Sequence, residues 1–111
     1  MNQVELVTAL KSLGMPIAYG EFESTPENPS PSPPFITYQF TDDEDLKADN
    51  QNYVDIGDYN IELYTDKKDL TIEKLVQDKL KELHLPYSKS EAKIELEELY
   101  QVIYRIQLIG G

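Results

Sequence analysis

The chain predicts a small α+β domain whose function rests on surfaces and edges. Three observations predict it. Apolar residues recur at helical spacing in residues 2–13 and 69–84, and a breaker follows each run, Gly14 with Pro16 in one case and Pro86 in the other. Several other segments alternate apolar and polar residues with a period of two, as half-buried strands do. Residues 59–69 run from such a strand through a charged turn straight into the second helix. With 111 residues, the chain is sized for one domain, 1–111, with a modest core.

Asn2 is a good N-cap for the first helix, and Glu5, three residues on, completes a capping box. Val4, Val7, Leu10 and Leu13, with Leu6, form its apolar stripe. Residues 17–22 alternate weakly and predict a short strand. Residues 23–34 carry Pro26, Pro29, Pro31, Pro33 and Pro34; proline withholds its N–H from a ladder, so this is a flexible, polyproline-like loop. A loop of that length is either a mobile connector or a docking arm that orders on assembly. Residues 35–40 form a strand, with Phe35 and Thr37 facing one side and Ile36, Tyr38 and Phe40 the other.

An acidic loop follows at 41–51, around Asp42, Asp43 and Asp45. It lacks the bend glycine and the closing glutamate of a calcium loop, so no metal is expected there. Residues 53–56 and 59–65 read as two strands around a turn at Gly57-Asp58. In the second, Tyr59, Ile61 and Leu63 share one face and Asn60, Glu62 and Tyr64 the other. Asp69 or Thr71 caps the second helix, whose stripe is Ile72, Leu75, Val76, Leu80 and Leu83; Lys74 and Asp78 pair on its outer side. Residues 87–94 are a weaker strand, and 95–98 a turn or brief helix. Residues 100–109 are the strongest strand: Tyr100, Val102, Tyr104, Ile106 and Leu108 line one face, and Gln101, Arg105 and Gln107 the other. At a sheet edge, such a strand has free backbone groups for a partner.

The net charge of −11 argues against direct nucleic-acid binding, because phosphate backbones attract Lys and Arg. It leaves two readings: solubility, or a surface that meets a basic partner or lets DNA slide past. There is no cysteine, so neither a disulfide nor a thiolate zinc site can form. The N-terminus lacks the features of a signal peptide and no apolar run is long enough to span a bilayer, which predicts a soluble cytosolic product with no membrane partner. His84, the only histidine, stands near a helix C-terminus without an evident acid–base partner. No phosphate loop, nucleophile elbow or thiol nucleophile is present, and Glu97-Glu98 is ordinary in so acidic a chain. No catalytic residue, cofactor or metal is expected, and the chain does not read as an enzyme. The tyrosines fall in strands, either as good strand formers or as interface anchors.

Several short strings occur in order across nearly the whole chain. They are Gly14-Met15-Pro16-Ile17-Ala18-Tyr19-Gly20, Pro33-Pro34-Phe35-Ile36-Thr37-Tyr38 and Ala48-Asp49-Asn50 ahead of Tyr53. They continue with Ile61-Glu62-Leu63-Tyr64-Thr65-Asp66-Lys67-Lys68-Asp69, Ile94-Glu95 and Leu99-Tyr100-Gln101-Val102-Ile103-Tyr104. In this combination the sequence resembles the small tail-completion proteins (tail terminators or head-to-tail joining proteins) of long-tailed phages and prophages of Gram-positive bacteria. The resemblance implies a mostly antiparallel sheet with two helices packed on one face. It implies a homo-oligomeric ring, a hexamer matching the tail tube, that stops tube polymerisation and presents a surface to the head connector. Its partners would be the tail-tube protein and a head-completion or connector protein, first in the host cytoplasm and then in the virion. An acidic lumen would repel DNA phosphates and let DNA pass.

A ring needs a heterologous interface whose rotation closes. The interface residues expected on these grounds are Pro31, Pro33, Pro34, Phe35, Asp42, Asp43, Asp45, Tyr64 and Tyr104. The acidic stretch 41–45 departs from the family pattern and bears on partner contacts. Two readings from other classes stand beside this one: an acidic DNA mimic that inhibits a nucleic-acid enzyme, and a protein-interaction adaptor that uses the Pro-rich loop.

Overall fold

The first helix, α1, spans Gln3–Lys11 in a computed structural model that describes residues 1–27, 29–48 and 50–110. Asn2 Oδ1 accepts from Glu5 N at 2.8 Å, and the Glu5 carboxylate accepts from Asn2 N at 3.4 Å, closing the expected capping box. The buried stripe runs through Leu6 and Leu10 to Leu13. Val4 was expected in it but stands 74% exposed, because two residues of helix turn it well away from Leu6.

Seven strands follow among the described residues: β1 (Ile17–Tyr19), β2 (Phe35–Asp43), β3 (Leu46–Ala48), β4 (Gln51–Val54), β5 (Ile56–Thr65), β6 (Ser88–Ile94) and β7 (Leu99–Ile109). The second helix, α2 (Leu70–Glu82), connects β5 to β6, and a single 3-10 turn, Glu95–Glu97, connects β6 to β7. β1, β2, β5, β7 and β6 form one sheet in that order, antiparallel throughout except for the parallel β1–β2 pair. β3 and β4 form a separate two-stranded sheet. The fold is α+β, with the N-terminal helix first.

Three expectations need correction. β1 stops at Tyr19, because Gly20 takes a positive φ of 74° and turns the chain off the sheet. The stretch 41–51, whose Asp49 lies outside the described residues, is mostly strand and not loop. β2 continues to Asp43 through a bulge after Phe40, and β3 and β4 form a hairpin. Backbone pairing there needs no apolar side chains, and Asp45 Oδ1 holds Ile56 N at 2.7 Å. The turn expected at Gly57-Asp58 is absent as well. Gly57 pairs with Asp43 on one side and Leu108 on the other, inside a continuous β5. Its missing Cβ serves packing: one built there would lie 3.1 Å from Tyr59 Cε1 and 3.4 Å from Phe40 Cε2. The open question of where β7 lies is also answered: it is interior, between β5 and β6. The edges are β1 and the polar β6, whose Lys89 and Lys93 discourage further pairing.

The core lies on one face of the sheet. Ile36, Ile61, Leu63, Val102, Tyr104, Ile106 and Leu108 point there and meet Leu6 and Leu10 of α1 and Val76 and Leu80 of α2. Both helices therefore cover the same face. On α2 the stripe is Ile72, Val76, Leu80 and Leu83; Leu75, expected within it, is 48% exposed. Asp69 is the N-cap, its Oδ1 accepting from Ile72 N at 3.1 Å.

At the other end of α2, His84 N bonds to Lys81 O at 3.0 Å and Leu85 N to Leu80 O at 2.9 Å, the pairing of a Schellman cap. The cap puts His84 at a φ of 57°, where a Cβ is strained. His84→Gly is expected to stabilise the fold by roughly 0.5–1 kcal/mol, read as a higher urea midpoint at unchanged slope.

Candidate functional site

The pleat that sends Ile36, Ile61 and Tyr104 to the helices sends their neighbours to the opposite face. Thr37, Gln39, Asn60, Glu62, Tyr64, Gln101, Ile103 and Arg105 lie there, with Phe35 at one end, and no helix covers them. Glu62 is the centre of this face. Its Oε2 accepts from Thr37 Oγ1 at 3.0 Å and from the Tyr64 hydroxyl at 2.9 Å. Its Oε1 accepts from Gln39 Nε2 at 3.2 Å. Gln101 Nε2 donates to the Tyr64 hydroxyl at 2.9 Å, so the network crosses β2, β5 and β7. These neighbours leave Glu62 only 8% exposed although it lies on the uncovered face. Burial, with the Glu62 hydrogen bond and charge behind it, pushes the Tyr64 pKa up, which keeps the phenol proton in the network.

Phe35 stacks on Tyr64 at 4.9 Å between ring centres, and Phe22 meets Phe35 edge-on at 5.3 Å. Pro31, Pro33 and Pro34 are half-buried as the chain enters β2. Pro33 and Pro34 lead directly into Phe35, which stacks on Tyr64 at this end of the sheet. Asp42 and Asp43 are exposed near the far end of β2, about 25 Å away at the usual strand rise. Asp42 stands directly opposite Asp58, a like-charge pair that weakens the ladder locally. Asp45 lies beyond them, with one carboxylate oxygen on a backbone N–H.

Tyr104 is not an interface residue. It is fully buried, its ring edge-on to Tyr87 at 5.4 Å and its hydroxyl donating to Gln77 Oε1 at 3.1 Å. Alternation had placed it beside Val102 and Ile106, and that face is the covered one. Sequence reasoning passed over Glu62 and Glu73. Glu62 carried a signal, a lone carboxylate between Ile61 and Leu63 in a central strand. Glu73 stood among ordinary surface charges of an amphipathic helix, with nothing local to mark it.

Glu73, in the first turn of α2, is only 2% exposed. Lys68 Nζ is 2.7 Å from its Oε2, and Lys89 Nζ is 2.7 Å from its Oε1, an ion pair outside good hydrogen-bond angles. Lys68 also reaches Glu91 at 2.5 Å. Burial raises the Glu73 pKa, but the two lysines outweigh it and the net shift is downward. The Lys68 pKa is raised, first by its hydrogen bond to Glu73 and then by that to Glu91. This cluster ties the α2 entry to β6 and is structural.

Among the described residues, no group of three or more His, Cys, Asp or Glu side chains is arranged to hold a metal ion. Among them, too, no helix is long and apolar enough to cross a membrane. A cavity of about 880 Å³ opens beside β7 past His84 and Tyr87. In its wall, Arg105 donates to Ser90 and Gln107 to Glu44. No family model and no curated protein matches the chain.

Proposed function

We propose that this chain is a phage morphogenesis protein that acts at the head–tail junction, as a tail terminator or head–tail joining subunit, by closing into a ring. The observation that carries the reading is the one-sided sheet. Both helices pack on one face, and the other presents an ordered polar network beside the Phe22, Phe35 and Tyr64 cluster. Such a face is preorganised for a neighbouring subunit, since its side chains lose little further freedom on contact. The α+β fold with two helices on one face also matches the architecture that the family resemblance implies. A ring subunit needs two different contact surfaces, and the open face supplies one of them.

Light scattering with and without purified tail tubes tests this. A discrete ring mass is expected, at least when tubes are present. Arg105→Glu, an exposed change on the open face, should weaken association at least tenfold while the monomer stays folded. A chain that remains monomeric under both conditions overturns the proposal. Assembly indifferent to Arg105→Glu moves the contact off this face.

A further inference from the structure

A second surface lies where the first turn of α1 meets the far ends of β2 and β5. It is a groove of about 520 Å³ whose floor is apolar. Val4 and Phe40 stand 74% and 45% exposed there, beside Tyr59 and Leu108. The Phe40 and Tyr59 rings meet edge-on at 5.6 Å over Gly57, and the Tyr59 hydroxyl is anchored to Gln3 Oε1 of α1 at 3.2 Å. The floor is therefore held in place before anything binds. Asp43 and Asp55 are exposed on the rim, and no Lys or Arg lines the groove among the described residues.

We propose that this groove docks a basic, apolar-tipped segment of a partner protein. One Leu-like side chain sits on Val4 and Phe40, and flanking Lys or Arg side chains meet Asp43 and Asp55. Charge decides the occupant. The groove is lined by Asp43, Asp45 and Asp55, so an acidic segment is repelled. A cationic segment is attracted and steered. An anion is disfavoured by the three carboxylates of the lining, Asp43, Asp45 and Asp55. A purely polar cation leaves Val4 and Phe40 in water, whereas an apolar tip covers them. The groove is built from the α1 end of the core face, so this proposal stands apart from ring closure through the open face.

The test titrates the full chain with two synthetic peptides of equal charge, one alternating Lys and Leu, the other alternating Lys and Ser. Backbone amide shifts are followed by NMR. The Lys–Leu peptide is expected to bind at least tenfold tighter and to shift Val4, Gly57 and Leu108. Val4→Lys, at a solvent-facing position, should weaken it at least fivefold without changing thermal unfolding. The double change Asp43→Asn with Asp55→Asn should weaken it at least fivefold and flatten its salt dependence. Equal binding of both peptides, binding of neither, or affinity unaltered by Val4→Lys overturns the proposal.

Discussion

Tyr104→Ala is expected to remove about 3–5 kcal/mol of stability, the cost of deleting a large aromatic from a packed interior. Tyr104 is 0% exposed and lies in β7 between Ile61 of β5 and Lys89 of β6. Its ring packs under α2, with its edge to Tyr87. A domain of this size holds only about 5–15 kcal/mol in total, so the variant sits at or near the unfolding threshold at room temperature. Tyr104→Phe separates the ring from the hydroxyl. It keeps the packing, loses the 3.1 Å bond to half-buried Gln77, and should cost about 1 kcal/mol. Urea unfolding at constant slope measures both. A loss below about 1 kcal/mol for the alanine variant contradicts the burial and returns Tyr104 to the surface.

The second large effect belongs to Glu73, and it is asymmetric. Changing both Lys68 and Lys89 to Met strands a carboxylate that is 2% exposed, and should cost about 3 kcal/mol at neutral pH. Glu73→Gln should cost less, about 1–2 kcal/mol, because the released lysines are 40% and 36% exposed and return to water. The pH dependence separates the cases. In the wild type the Glu73 pKa is lowered from 4.5. Its contribution is complete above that unfolded value and is lost as pH falls through the lower folded one. The Lys68 pKa is raised from 10.5, so its contribution is complete below that value and is lost as pH rises through the higher folded one.

In the double Met variant, burial acts on Glu73 without opposition and raises its pKa, so the sign reverses. Acidification then relieves the cost, and the stability gap to wild type should narrow as the carboxyl takes up its proton. Unfolding free energies measured from pH 3 to pH 8 follow the gap. A gap that stays constant or widens on acidification contradicts a buried, lysine-held Glu73.

Much of this was legible because it is local. The Asn2–Glu5 box, the cap at Asp69 (one of two candidates, with Thr71) and the alternation of β5 and β7 each depend on a few adjacent residues and form as read, whereas α1 ends at Lys11, short of the expected Leu13. The misreadings share one cause. Gly57-Asp58 carries a turn signature, but pairing with Asp43 and Leu108 on both sides holds it extended. The acidic stretch reads as solvated loop, yet backbone pairing in β2 and β3–β4 orders it without apolar side chains. The interface set divides for the same reason. Phe35 stacks on Tyr64 with half-buried Pro31, Pro33 and Pro34 preceding it in the chain, Asp42 and Asp43 lie at the other end, Asp45 braces β5, and Tyr104 is core.

The sequence by itself determined the helices and their caps, the α+β class, the two faces of each long strand and the strongly negative charge. Only the tertiary structure decided which faces are covered, that β7 lies inside the sheet, and that Glu73 collects lysines from two separate segments. A period of two distinguishes the sides of a strand but says nothing of its neighbours. Pairing partners far apart in the chain settle that through backbone bonds indifferent to side-chain identity.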